Sequence, residues 1–336
     1  MRGRFFVLME TQPMKAHLSL LVCLTFSIQL ILSQEAAVVP GLEEVLSTYP
    51  KLRDFNMNTE GTEAYTTLQS PLEEVSIIVR MNKKEGTWEG TWESSWDAPN
   101  IASFSGTYKD LEPFLSPDGL TLYFVSNRPI SDTSSAPKDF DIWYVERESQ
   151  EAPWSEPQNL GAPVNTKHNE FYPVITNSGN LYYTFDGPGV KGRDDIFLAT
   201  WNGEGFETPY SLDTTINTAG FEYNAYVDPD ETFMLFGGYN RADGLGSGDI
   251  YVSVKKEGVW QQAENLGDQI NSKFMDYCPF VDITHQILYF TSRRSSIQAE
   301  TISSVEAFSD LVSQYENGQS RIYQVDFSSW LQKLKP

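Results

Sequence analysis

One pattern of about 55 residues recurs along the chain, and it restricts the possible architectures more than any other feature of the sequence. Its clearest copies begin Asp110-Leu111-Glu112-Pro113-Phe114, Glu170-Phe171-Tyr172-Pro173-Val174, Glu222-Tyr223-Asn224-Ala225-Tyr226 and Asp276-Tyr277-Cys278-Pro279-Phe280. Each runs into a turn: Ser116-Pro117-Asp118-Gly119, Asn177-Ser178-Gly179-Asn180, Asp228-Pro229-Asp230-Glu231 or Asp282-Ile283-Thr284-His285. Pro presets the first turn dihedral, Asp and Asn bond back to the backbone and Gly accepts positive φ, so these are hairpin tips. An aromatic, apolar strand follows, at Leu122-Tyr123-Phe124-Val125 and at the matching runs from Leu181, Phe233 and Ile287. A third strand opens with Asp141, Asp195, Asp249 or, without the acid, Arg321. A fourth carries Trp154, Phe206 or Trp260, with Leu160, Leu212 or Leu266 six positions later. Each unit therefore reads as a four-stranded meander.

A weaker copy comes first: Asp54-Phe55-Asn56-Met57, then Glu60-Gly61, Ala64-Tyr65-Thr66, Val75 to Val79, and Glu85-Gly86-Thr87-Trp88. With leading acids at 54, 110, 170, 222 and 276 there are five units, and the last lacks a fourth strand. The segment around Glu44-Val45-Leu46 has the offset to supply it, and closing a ring this way removes the edges an open array would expose. The expected fold is all-β: a five-bladed propeller of four-stranded antiparallel blades. The blades fall at about 53–97, 105–160, 166–213, 219–267 and 273–333, with a closing strand at about 43–48. A β-solenoid would need shorter repeats and no closure. In the last unit Ile302, Val305, Phe308, Leu311, Val312 and Tyr315 stand at helical spacing before Gly318, which predicts a helical insertion at about 299–316 packed as a core face on the rim.

Charge narrows the partners. The 336 residues include 46 Asp and Glu against 24 Lys and Arg, a net charge of −22. Nucleic acid and anionic membrane surfaces are excluded, because both need a basic stripe. At 40% apolar and 13% aromatic the chain still buries a core. Lys15 and His17 precede an apolar run from Leu18 to Leu32 that ends in Ser33-Gln34-Glu35-Ala36-Ala37, as in a secretory signal at 1–33, with Met14 an alternative start. The run falls short of the ~20 residues that span a bilayer, and Val22 before Cys23 argues against a lipid anchor. Cleavage would remove Arg2, Arg4, Lys15 and Glu10, leaving 21 bases and 45 acids, or −24. The expectation is a periplasmic or secreted monomer of residues 34–336 with no transmembrane segment and one thiol, Cys278, buried as a small hydrophobe.

Glu112-Pro113-Phe114-Leu115-Ser116-Pro117-Asp118-Gly119, Leu122 to Pro129, Asp141-Ile142-Trp143-Tyr144-Val145 and Trp154 to Gly161 together resemble the WD40-like propeller repeats of the Tol-associated periplasmic family, the PD40 or TolB-like repeats. The resemblance covers about residues 45–326 and implies an exported propeller. It does not imply a particular function, since such repeats occur in translocation proteins, envelope proteins and other exported propellers.

In a propeller the start of strand one and the link between strands two and three share a face. That face is expected to gather Asp54, Asp110, Glu170, Glu222 and Asp276 at the channel mouth, with Arg128, Arg241, Arg293 and Arg294. Such a carboxylate ring would suit Ca²⁺. The simpler reading is that each acid pairs with a backbone amide or with the Arg across its hairpin, with Arg128, Arg241 and Arg293 at corresponding positions and no cofactor. Asp141, Asp195 and Asp249 read as turn caps. A carbohydrate-active hydrolase would use Asp54, Asp110 and Glu170 as acid and base, with Trp143 or Tyr239 as sugar platforms. His168 and His285 fall on opposite faces, which leaves a zinc site or Ser-His-Asp triad unsupported, and no Gly-x-Ser-x-Gly elbow occurs. The function expected is non-catalytic binding of an envelope or extracellular protein, peptide or glycan at the channel-mouth face, with the hydrolase as the alternative.

Overall fold

A computed structural model describes Met1 and residues 37–84, 95–130, 138–298 and 301–335. The leader at 1–33, apart from Met1, and the Glu85-Gly86-Thr87-Trp88 segment lie outside the described residues. The turn sequences fold as hairpin tips, and the apolar runs between them pair antiparallel. Strand β1 (Val39–Pro40) and a single helical turn α1 (Glu43–Leu46) precede the first blade, β2 (Leu52–Met57), β3 (Glu63–Gln69), β4 (Ser76–Asn82) and β5 (Asn100–Ile101). Blade two is β6 (Asp110–Leu115), β7 (Thr121–Ser126), β8 (Asp141–Glu146) and β9 (Gln158–Asn159). Blade three is β10 (Glu170–Ile175), β11 (Leu181–Phe185), β12 (Asp195–Ala199) and β13 (Tyr210–Ser211). Blade four is β14 (Phe221–Val227), β15 (Phe233–Tyr239) and β16 (Asp249–Lys256), with β17 (Val259–Trp260) and β18 (Glu264–Asn265) both pairing with β16. Blade five contains β19 (Asp276–Asp282), β20 (Ile287–Ser292) and, after helix α2 (Val305–Ser313), β21 (Arg321–Asp326); helix α3 (Ser328–Leu334) follows.

The first strands touch one another in a ring, β2 to β6 to β10 to β14 to β19 and back to β2, so they line the axis of a five-bladed propeller. Each of these strands slips register against its neighbour partway along, a bulge that sets two residues opposite one. The bulged residues, Asp54, Glu112, Tyr172, Asn224 and Cys278, all take φ between 50° and 63°. Positive φ is uncommon for residues other than Gly. Its recurrence in every blade marks it as a property of the fold, one that re-aims a side chain toward the axis. The displaced amides are satisfied across blade boundaries: Asp54 donates to Thr291 Oγ1 (3.3 Å), Glu112 to Thr67 Oγ1 (3.1 Å) and Asn224 to Thr184 Oγ1 (3.0 Å). Blades one, three and five carry Thr at this position, whereas blade two has Val125 and blade four Gly237; at blade two the Tyr172 amide donates to the Glu112 carboxylate instead (2.7 Å).

The bulge corrects the alignment of the first unit. Asp54 matches Glu112 and not Asp110; the first-strand opening of blade one is Leu52, opposite Leu68 as Asp110 is opposite Ser126. The spacing to the hairpin Gly carries the same information: nine residues from Asp110 to Gly119 but only seven from Asp54 to Gly61.

Closure by an N-terminal strand is observed, but the expected strand at 43–48 is corrected. Val39 and Pro40 pair with Gln324 and Tyr323, whereas Glu43–Leu46 forms a turn of helix that buries Leu46. With Pro in its second position, this strand suits an outer edge, where the missing N–H faces no partner. Three Asn residues clamp the third strands by imitating a peptide group. Asn165 accepts from Ile142 N and donates to Ile142 O, and Asn217 does the same at Ile196, Asn271 at Ile250. Val164-Asn165-Thr166, Ile216-Asn217-Thr218 and Ile270-Asn271-Ser272 are thus part of the repeat.

The insertion in blade five is helical, but its stripe is not a core face. Helix α2 is capped by the Ser304 hydroxyl, which accepts from the Ala307 amide, and buries none of its residues. Ile302, Val305, Phe308 and Val312 are exposed, and only Tyr315 beyond the helix is buried, its hydroxyl donating to Ile322 O (2.7 Å). Phe308→Ser should therefore leave the melting temperature within about 1 °C of the parent, since exposed substitutions usually change stability by under ~0.5 kcal/mol. A drop of several degrees in a thermal scan would show that the helix packs on the rim after all.

Candidate functional site at the channel mouth

The axial channel is closed in its middle by Phe55, Phe114, Tyr172, Tyr226 and Phe280, which leave a void of only about 10 Å³. Two blind mouths remain. The one at the hairpin-tip end measures about 230 Å³, and there the Lys335 ammonium pairs with Asp228 (2.7 Å). The other opens at the strand-one starts, measures about 360 Å³ and is the candidate site. Phe171, Phe221, Tyr223 and Tyr239 supply its rings, Leu111 and Met275 its aliphatic wall, and Asp194 a carboxylate. Arg53, Glu112 and Asn224 also line it.

These last residues belong to a buried polar cluster built on the bulge. Arg53 Nε donates to Asp54 (2.7 Å) and Nη2 to Glu112 (2.6 Å), Asn224 Nδ2 reaches Glu112 (3.4 Å), and Cys278 Sγ donates to Asp54 (2.9 Å). Burial works against the Arg53 charge, but Asp54, Cys278 and Glu112 outweigh it and hold the guanidinium pKa well above its ordinary value. Burial pushes the Glu112 carboxyl up against the pull of Arg53, and the Asp54 charge adds to the rise. For Cys278, burial and then Asp54 raise the thiol well above its usual range, which makes it a hydrogen-bond donor and not a nucleophile. One guanidinium serving two carboxylates leaves this floor short of positive charge.

The sequence-predicted acids sit elsewhere. Asp110, Glu170, Glu222 and Asp276 are fully buried within their blades, and none of them lines the cavity. Asp110 accepts from Ser105, Ser126 and Arg128 Nη2 (2.7 Å). Glu222 accepts from the Thr218 amide and hydroxyl and from Arg241 Nη1 (3.0 Å). Asp276 accepts from the Ser272 amide and hydroxyl and meets Arg294 at 3.3 Å. The pairing arrangement describes all three, with one correction: the third Arg is Arg294, and Arg293 instead approaches Glu73 (3.8 Å) and the Ser320 hydroxyl. The five acids do not form a ring for Ca²⁺. Asp54 lies on the axis, the other four lie inside separate blades, and among the described residues no group of three or more His, Cys, Asp or Glu side chains is arranged to hold a metal ion.

Glu170 departs from the pattern. Its Oε1 accepts from the Thr166 amide and hydroxyl, but its buried Oε2 has no partner. The residue two places beyond its cross-strand partner Phe185 is Gly187, where Ser126 and Ser292 lead to Arg128 and Arg294. A Cβ on Gly187 would stand 2.2 Å from the Phe185 ring and 2.8 Å from that of His168, so the space an Arg would need is filled. Burial drives the Glu170 carboxyl up to about 8, against its bonds from Thr166.

Asp141, Asp195 and Asp249 cap their loops as expected. Asp195 accepts from the amides of Lys191 and Gly192, Asp249 from those of Leu245 and Gly246, and Asp141 meets Lys138 and Asn159. Trp143 is corrected as a sugar platform: it is buried beneath the Arg128 guanidinium, 5.3 Å from the ring centroid, while Tyr239 is exposed on the cavity wall. Sequence reasoning missed Arg53, Glu112, Asn224 and Asp194, and the bulge explains the first three.

No protein-family profile matches the sequence, and no curated protein matches it. Among solved structures, the catalytic domain of Coprinopsis cinerea GH62 alpha-L-arabinofuranosidase is similar over 88% of this chain and 97% of its own, with TM-score 0.52 and 10% identity. At that identity the likeness is one of fold. Putative TolB from Agrobacterium tumefaciens matches over 72% of this chain and 70% of its own (TM-score 0.45, 13% identity). TolB from Acinetobacter baumannii matches over 82% of this chain, which spans about half of it, 54% (TM-score 0.46, 11% identity). No helix among the described residues is long and apolar enough to cross a membrane.

Proposed function

We propose that the chain is an exported, non-catalytic propeller that binds a peptide segment of a protein partner at the channel mouth. The observation that carries this reading is the placement of exposed apolar side chains. Leu72, Val75, Ile130, Leu245, Val305 and Phe308 all stand on links between second and third strands, on the face that holds the aromatic cavity. Val39, Ile101, Tyr210 and Val259 lie on outer strands, and Trp201, just after β12, is exposed at the opposite face beside the hairpin-tip Gly179. Apolar surface gathered on one face around a concave centre is the signature of a protein-binding surface. A hydrolase using Asp54, Asp110 and Glu170 would need them to face one substrate, whereas Asp110 and Glu170 are sealed in their blades and Asp54 is bonded to Arg53.

The test is retention of partner from envelope extract by the immobilised full chain, compared with a Tyr239→Ala, Leu245→Ser variant. A protein held by the parent and lost by the variant, with both melting alike, is the expected result. Equal retention by both, or release of sugar from arabinan or xylan by the purified parent, would overturn the reading.

A further inference from the structure

We propose that the channel-mouth cavity selects a cationic side chain, the ammonium of a Lys or the guanidinium of an Arg on the bound peptide, with Asp194 as its counter-ion and Phe171, Phe221, Tyr223 and Tyr239 around it. This rests on the peptide-binding reading above.

Asp194 differs from the other acids of its face because it is outside the repeat. It stands directly before the capping Asp195, where blade two has Phe140 and blade four Gly248. Nothing in the fold requires a carboxylate there. The side chain is half-buried on the cavity wall and, among the described residues, makes no hydrogen bond or ion pair. Burial, with Asp186 nearby, raises its pKa, as expected of a carboxylate short of a partner; Arg193 opposes the rise without reaching ion-pair distance. The Tyr223 ring forms part of the same wall, with its hydroxyl buried beside Gly248 and without a partner. Aromatic faces attract cations, and the Phe221 ring already has the exposed Arg193 guanidinium 5.8 Å from its centroid.

The charge balance has the same sign. Of the charged groups lining the cavity, Arg53 is engaged by Asp54 and Glu112 behind it, so Asp194 is the one without a counter-charge. The net charge of −22 adds a field that draws basic segments toward the protein. An anionic or neutral side chain would leave Asp194 desolvated and unpaired, a penalty that a cation removes.

The experiment titrates the full chain, by NMR, with nonapeptides identical except for a central Lys, Arg, norleucine or Glu, and with an arabino-oligosaccharide. Lys and Arg peptides should bind about tenfold more tightly than the norleucine peptide, a difference of ~1.4 kcal/mol, and the Glu peptide most weakly. Asp194→Asn should abolish that preference with no change in melting temperature. Arg193→Gln should enlarge it by removing the competing cation at the rim. Equal affinity for Lys and norleucine peptides, or a preference that survives Asp194→Asn, would overturn cation selection while leaving peptide binding intact. Binding of the oligosaccharide and of no peptide, or of none of the probes, would overturn both.

Discussion

Arg53→Met should destabilise the protein by about 3–5 kcal/mol, the usual consequence of removing one partner from a buried ion pair, and lower its melting temperature by roughly 10 °C. Arg53 Nε and Nη2 hold Asp54 and Glu112 at 2.7 and 2.6 Å, and both carboxylates are almost entirely buried. Without the guanidinium, two acids face each other on the axis, with the Cys278 thiol, the Asn224 amide and backbone N–H groups as their remaining donors. The cause can be separated from lost packing. Adding Asp54→Asn and Glu112→Gln to Arg53→Met should restore most of the loss, because the triple variant buries no charge and keeps an acceptor for the Tyr172 amide. Thermal unfolding of the single and triple variants reads both effects. A single variant that melts within 2 °C of the parent, or a triple variant no better than the single, would show that the cluster is not held by its charge.

The second large effect distinguishes two acids that look equivalent in the sequence. Asp110→Asn should cost about 3 kcal/mol at neutral pH, because it leaves the buried Arg128 without its counter-ion between Phe124 and Trp143. Glu170→Gln should do the opposite. Its native carboxyl holds its proton up to about pH 8, whereas in the unfolded chain the proton is lost near the ordinary value of 4.5. Between those values the unfolded state has released a proton that the folded state keeps. This residue therefore contributes a loss of stability as pH rises from about 4.5 to 8, and a constant deficit above that. Gln cannot ionise, so the variant should match the parent at pH 4 and exceed it by about 2 kcal/mol at pH 9. Denaturant unfolding at the two pH values measures the difference. Destabilisation by Glu170→Gln at pH 9 would mean that Oε2 has a partner there.

The contrast between these acids shows how far the sequence can be read. The leading acids were legible because they repeat, and their repetition marks a structural role: Thr166, Thr218 and Ser272, four residues upstream, donate to Glu170, Glu222 and Asp276. Their burial was not legible. A carboxylate at a strand start reads as exposed until the loop that folds over it is placed. Trp143 and Tyr239 illustrate the same limit, since both occur in aromatic strand sequences, yet Trp143 is buried beneath Arg128 while Tyr239 stays exposed on the cavity wall. The α2 stripe, at helical spacing and apolar, reads in the sequence as a core face. Its spacing decides that it is a helix, but whether anything covers it depends on the neighbouring loops.

By itself the sequence determined that this protein is a ring of five antiparallel blades closed through its N-terminus. Period-two alternation, turn chemistry and a fixed repeat are local properties, and each constrains the backbone within a few residues of itself. The tertiary structure alone decided which residues meet on the axis. The bulge moves one residue per blade by a register step that no local preference announces. It brings Arg53, Asp54, Glu112, Asn224 and Cys278 together across gaps of as much as 225 residues in the chain. It also left the repeated acids to the blades and gave the cavity to Asp194, an acid that does not repeat.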